Sequence, residues 1–213
     1  MVDGARRPLK TRSMGWAVAV ARALTRSGVS PNTISAASVV FGALAGGAFL
    51  ASSRNGSPWI FVAAAACIQL RLACNLFDGM VAVEGGKQTR SGEIWNDLPD
   101  RLSDVLTIVP VGVALRWGAT GVTLGWIAGC LALLTAYVRI LGGACGLPQS
   151  FAGPMAKQQR MATLTAGALL AAAESAAGFP ARALGLALAI VALGAAVTAV
   201  RRTLAIVRAL ESR

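Results

Sequence analysis

Apolar residues run along this chain in long blocks separated by short polar segments, with no alternation at the two-residue period of a strand. The opening is polar and basic, with Arg6, Arg7, Pro8 and Lys10. Residues 13–26 (SMGWAVAVARALTR) then mix apolar patches with Arg22 and Arg26. That mixture predicts an amphipathic helix at a membrane interface with Trp16 at headgroup depth; the plainer alternative is a surface helix with no membrane contact. Gly28 to Asn32 breaks the helix, and Pro31, Asn32 and Thr33 read as a turn followed by a cap. Six apolar runs follow, at residues 33–53, 59–83, 93–115, 120–141, 158–177 and 181–200. At about 1.5 Å of rise per residue, some 20 residues span the ~30 Å hydrocarbon core of a bilayer. The expected fold is therefore an all-α integral membrane protein of six transmembrane helices preceded by an N-terminal amphipathic interfacial helix. It divides into residues 1–29 (basic N-terminus and interfacial helix), 30–200 (transmembrane domain) and 201–213 (basic cytoplasmic tail).

Composition points the same way. The chain is 55% hydrophobic and 14% charged, against about 45–50% and about 25% for soluble domains, and a soluble fold of this size has too little interior to hide so much apolar surface. The net charge is +11, but Lys and Arg sit at the ends of apolar runs rather than in a stripe, so nucleic acid is not the expected partner. Anionic headgroups and phosphate-bearing substrates are. The basic N-terminus, Lys87, Arg90, Lys157, Arg160 and the tail fall on one side of the predicted spans, and Arg54, Arg116 and Arg182 on the other. The positive-inside rule makes the first side cytoplasmic, in the cell (inner) membrane. Histidine is absent and the four cysteines show no paired spacing, which removes the commonest zinc ligand and argues against a disulfide framework. No cleavable signal peptide of the usual form is expected. Ala and Gly throughout the spans permit close helix packing and a dimer face.

Candidate chemistry is concentrated between Asn75 and Asp104, which hold six of the nine acids: Asp78, Glu84, Glu93, Asp97, Asp100 and Asp104. Asn75 and Asp78 are one turn apart on one face of the second span. Asp97, Asp100 and Asp104 cover about 60° of the third helix if it is regular, with Asn96 one turn before Asp100. Crowded carboxylates in a low dielectric repel unless a cation neutralises them. Only hard oxygen ligands are on offer, so the expected ion is Mg²⁺ or Mn²⁺. A solvated helix start accounts for Glu93 and for Asp97, because acids favour a helix N-terminus. It does not account for Asp78 at the end of an apolar helix or for Asp104 about three turns in. Arg71, two turns before Asp78, must snorkel, face an internal cavity or bind an anion, and its position favours the cavity.

The window NLFDGMVAVEGGKQTRSGEIWNDLPD resembles the signature of the CDP-alcohol phosphotransferase (phosphatidyltransferase) family: Asp, two residues, Asp-Gly, two residues, Ala-Arg, about eight residues, Gly, three residues, Asp, three residues, Asp. Asp78-Gly79, Ala82, Gly92 and Asp100 match, and SPNTIS at Ser30–Ser35 resembles the opening of the family's first span. Asn75, Val83 and Asn96 depart from it, where the family has Asp, Arg and Asp. The resemblance implies that Asp78 and Asp100 hold metal, that Asp100 also serves as base with Asp104 as a second catalytic group, and that Asn75 and Asn96 ligate only through neutral carbonyl oxygens, with Asp97 or Asp104 supplying the missing charge and completing the site. Gly79 would allow close approach of a nucleotide, and Gly79, Ala82 and Gly92 join the substrate site; close helix packing is the plainer reading of Gly79 and Ala82. Arg139, Lys157 and Arg160 are expected to meet phosphate, or else to anchor the chain at the cytoplasmic face. The implied activity is displacement of CMP from a CDP-activated lipid, CDP-diacylglycerol in the first instance, by an alcohol in phospholipid synthesis, by a homodimeric enzyme. Alternatives are transfer from a CDP-alcohol to diacylglycerol, or a non-catalytic relative that binds lipid or nucleotide.

Overall fold

The computed structural model describes residues 10–83 and 85–213; the basic opening with Arg6 and Arg7, and Glu84, lie outside the described residues. Those residues form a short 3-10 turn (Lys10–Ser13) and seven helices, with no strand among them: α1 Gly15–Arg26, α2 Pro31–Asn55, α3 Pro58–Val83, α4 Gly92–Ala114, α5 Ala119–Ala144, α6 Lys157–Ala176 and α7 Arg182–Glu211. Helices α2, α3, α5 and α7 are long and apolar enough to cross a membrane. Helix α4 falls short of that measure because Glu93, Asp97, Asp100, Arg101 and Asp104 occupy its first half, and α6 because it opens on Lys157-Gln158-Gln159-Arg160 and carries Glu174. The cap of α2 differs from the expected one. Ser30, not Asn32 or Thr33, is the N-cap and accepts from the Thr33 amide at 3.1 Å, which leaves Pro31 at the first helical position, where its missing N–H costs nothing. Pro99 lies inside α4, which begins seven residues earlier. Helix α7 runs unbroken through residues 201–211, so the basic tail is its last turns.

The helices pack as a closed ring, α2 to α3 to α6 to α7 to α5 to α4 and back to α2, while α1 lies outside against α3. Phe49, Ile68, Ile108, Met161, Leu164 and Leu188 fill the interior. Small residues set the close approaches. A Cβ on Gly125 of α5 would stand 2.6 Å from the Val109 carbonyl oxygen of α4, and one on Gly112 would meet Gly125 Cα at 2.9 Å. Without hydrophobic drive between helices in lipid, such backbone contact supplies much of the packing. Gly112→Ala is expected to force α4 and α5 apart at a cost of about 1–3 kcal/mol, the usual range for overpacking. Gly47→Ala, whose added Cβ meets nothing within 4 Å, should leave the thermal midpoint in detergent unchanged.

Candidate functional site

The chemistry gathers where α3, α4, α5 and α6 approach one another, around a buried charge cluster and the cavity above it. At the base, Asp104 of α4 is fully buried. Arg71 Nη2 of α3 meets its Oδ1 at 2.5 Å, and Arg160 Nη2 of α6 meets its Oδ2 at 2.8 Å. Arg71, also fully buried, donates to the Asp100 carbonyl at 3.3 Å and faces the Met161 sulfur at 2.9 Å. Arg160 donates to Thr135 Oγ1 and the Met155 carbonyl, each at 3.1 Å. Arg71 therefore points inward, as its place in an apolar helix demanded. Its partner is Asp104 rather than an anion, since an unpaired guanidinium at that depth is too costly.

Above this tie lies an open cavity of about 580 Å³, lined among others by Asn75, Asn96, Asp97, Asp100, Arg101, Arg139, Lys157 and Arg160, with Thr11, Arg12 and Trp16 of the N-terminal segment also at its wall. Asp100 is paired with the Lys157 ammonium, and Arg101 Nη2 approaches its other oxygen at 3.8 Å. Asp97 is met by Arg139 Nη2 at 2.5 Å and by Arg101 Nη2 at 3.5 Å. Gln149 accepts from Arg139 at 2.9 Å, and the Phe151 ring lies 5.3 Å from the Arg139 guanidinium carbon, so this arginine is held on three sides.

Asp78 is different. It is 3% exposed, does not line the cavity, and binds only neutral donors: Ser35 Oγ of α2 at 2.7 Å and the Gly79 amide at 2.5 Å. Among the described residues no salt bridge reaches it. Asp100 is near enough to repel it and Lys157 near enough to offset part of that repulsion. One turn earlier, the Asn75 Nδ2 atom is buried without a partner.

The structure thus brings Asn75, Asn96, Asp97, Asp100, Arg139, Lys157 and Arg160 to one cavity, with Arg71, Asp78 and Asp104 beneath or beside it. Gly79, Ala82 and Gly92 are half-buried and outside the cavity wall. Asp104, expected as a catalytic group, is enclosed by guanidiniums, and Asp97, expected as a metal ligand, is engaged by two arginines. Sequence reasoning passed over Arg101, which touches three acids, and Ser35, which holds Asp78 from another helix. Arg101 stood in plain view between Asp100 and Asp104. Ser35 had no local signal beyond its place in the SPNTIS stretch.

The fold and site define a helical membrane protein in which acids and amides, one turn apart on two successive helices, meet convergent cations at the mouth of a cavity. The chain belongs to the CDP-alcohol phosphatidyltransferase family, whose model matches residues 28–207. It is 29% identical over 132 residues to the inner membrane protein YnbA of Escherichia coli (strain K12), a match covering 62% of this chain and 63% of that relative's length. Its fold is similar to that of Mycobacterium tuberculosis phosphatidylinositol phosphate synthase (PgsA1) with CDP-DAG bound, at a TM-score of 0.70 and 20% identity over 89% of this chain and 92% of that one. The same synthase in complex with manganese and citrate gives a TM-score of 0.70 and 20% identity over 89% and 88% of the two chains.

The family is one of divalent-metal-dependent enzymes. The residues present fit a hard cation at Asp78: the carboxylate is buried with no salt bridge among the described residues, a second carboxylate repels it with only partial offset from Lys157, and the neighbouring Asn75 Nδ2 has no partner among those residues. No group of three or more acidic, cysteine or histidine side chains is assembled among the described residues, so amide and substrate oxygens must complete such a site.

Proposed function

We propose that this protein is a transferase that displaces CMP from a CDP-activated lipid, with CDP-diacylglycerol the first candidate, onto an alcohol acceptor. The observation that carries this reading is the cavity in which Asp100 faces Arg139, Lys157 and Arg160, with Asp78 close behind. A diphosphate entering there meets cations that offset its charge without a solvent shell, the arrangement that stabilises charge on a leaving phosphate. Asp78, with Asn75 and Asp100 as neighbours, would hold a divalent cation, which polarises the phosphoryl oxygens when bound. Asp100 is the carboxylate that opens on the cavity, and it takes the proton of the acceptor hydroxyl as that oxygen attacks phosphorus and the bond to CMP breaks. Arg139, steadied by Gln149 and Phe151, and Arg160 bind and orient phosphate oxygens through their forked donors. Their number favours a phosphorylated polar alcohol as acceptor, or an anionic CDP-lipid as donor. Gly79, Ala82 and Gly92 belong to the substrate site in this reading, beside the cavity and not on its wall. Asp104 positions Arg71 and Arg160 rather than accepting a proton.

Six spans in the inner membrane, cytoplasmic ends and a homodimer complete this reading. It is supported by four long apolar helices, by two further helices that close the same ring, and by the family match. A second reading, binding without turnover, is favoured by Asn75 and Asn96 and by the ion pairs that already occupy Asp97 and Asp100.

Purified protein, offered CDP-diacylglycerol with a panel of polar alcohols and alcohol phosphates, and CDP-alcohols with diacylglycerol, is expected to release CMP with Mg²⁺ or Mn²⁺ and not with EDTA. CMP release only from CDP-alcohols would establish the reverse pairing. Failure of every combination, or full activity in Asp78→Ala and Asp100→Ala, would overturn the transferase reading.

A further inference from the structure

Charge in the site is distributed unevenly. Asp97, Asp100 and Asp104 each carry a basic side chain from another helix, namely Arg139, Lys157, and Arg71 with Arg160. Asp78 has a hydroxyl and an amide, and is buried like Asp100 and Asp104, whereas Asp97 is half-exposed. A buried carboxylate without a counter-ion is unfavourable by several kcal/mol, and among the described residues Asp78 is the acid of this cluster with no cation bonded to it, Lys157 acting on it only from a distance. The two neighbouring positions are the neutral amides Asn75 and Asn96, which offer carbonyl oxygen but no charge. A divalent ion at Asp97, Asp100 or Asp104 would first have to displace an ammonium or guanidinium already bonded there. A nucleotide diphosphate diester brings two negative charges, which one divalent ion balances. A second ion would leave an excess of positive charge beside Lys157 and Arg101 in a poorly solvated pocket.

We propose that this chain takes a single divalent cation, at Asp78, and that the Lys157 ammonium bonded to Asp100 stands as the site's other mobile positive charge. The proposal rests on the reading of the cavity as a CDP-nucleotide site. The Asn75 amide, whose Nδ2 has no partner among the described residues, belongs to the same arrangement, because Nδ2 can donate to an incoming phosphate oxygen and a half-turn about its last bond presents Oδ1 to the ion.

The test is Mn²⁺ binding to the detergent-purified full chain, counted by the loss of the free-ion electron paramagnetic resonance signal, with thermal midpoints recorded to confirm folding. Wild type is expected to bind one equivalent per chain. Asp78→Asn should weaken that binding on the order of a hundredfold or more, since it removes the ion's only uncompensated charge. Asn96→Asp combined with Lys157→Met, which restores an acid and removes the competing ammonium, should raise the count to two. Two equivalents of similar affinity in wild type would overturn the proposal. So would one equivalent unaffected by Asp78→Asn, or none. The outcomes separate from those of the activity assay. CMP release that persists in EDTA with no Mn²⁺ bound removes this inference and keeps the transferase. One bound ion without CMP release from any donor keeps the ion site and removes the transferase.

Discussion

Asp100→Asn is expected to lower the rate of CMP release by on the order of 10³-fold, within the range that a positioned general base contributes. The carboxylate sits on the cavity wall, bonded to Lys157 from α6, while its backbone carbonyl accepts from Arg71. The isosteric amide keeps the shape and a neutral acceptor for the Lys157 ammonium, and loses the carboxylate that takes the proton. The expected signature is a fall in kcat with a thermal midpoint close to wild type, because Asp100 is at the edge of solvent and the amide oxygen still accepts from Lys157. A matched fall in midpoint and activity would mean that the residue holds the fold rather than the proton. Steady-state CMP release beside a melting curve in the same detergent decides between them.

Asp104→Ala should have the opposite profile. It strips a fully buried carboxylate from between Arg71 and Arg160 and leaves two guanidiniums facing each other out of water. Removing one partner of a buried ion pair typically costs about 3–5 kcal/mol. The expected result is a large drop in thermal midpoint and in the yield of folded protein, with activity lost as a consequence. Replacing all three groups with apolar side chains of similar size, as Arg71→Met, Asp104→Leu and Arg160→Met together, is expected to recover much of the midpoint, since well-packed apolar residues often replace such a triad without loss. Activity should not return, because Arg160 also lines the cavity. If the triple variant melts as low as Asp104→Ala, the triad is not what holds these helices in register.

The helices themselves were legible in the sequence because each apolar run is bounded by charge or by Gly and Pro. Run 59–83 became Pro58–Val83, and run 93–115 became Gly92–Ala114. The acidic window was legible too, since acids stranded among apolar residues must be answered by something. What the sequence does not carry is which group answers which. Asp97, Asp100 and Asp104 share one face of α4 at helical spacing, so periodicity treats them as equivalent. Their partners come from three other helices, 33 to 57 residues away in the chain for Arg71, Arg139, Lys157 and Arg160. Only the ring order of the helices sorts one carboxylate into an enclosed tie, one into the cavity wall and one into a clamp. Asp78 illustrates the same limit, since its hydroxyl partner lies 43 residues back in the chain.

The tie at Asp104 also bears on how the chain is built. Arg71 is made with α3, Asp104 with α4, and Arg160 only with α6, so each early segment carries a charged group whose full complement has not yet been synthesised. A nascent chain halted before Lys157 would hold Arg71 against Asp104 with one carboxylate oxygen still waiting for its second guanidinium. Assembly is therefore expected to finish in one late, concerted step rather than helix by helix, and fragments lacking α6 and α7 should be handed to quality-control proteases instead of accumulating.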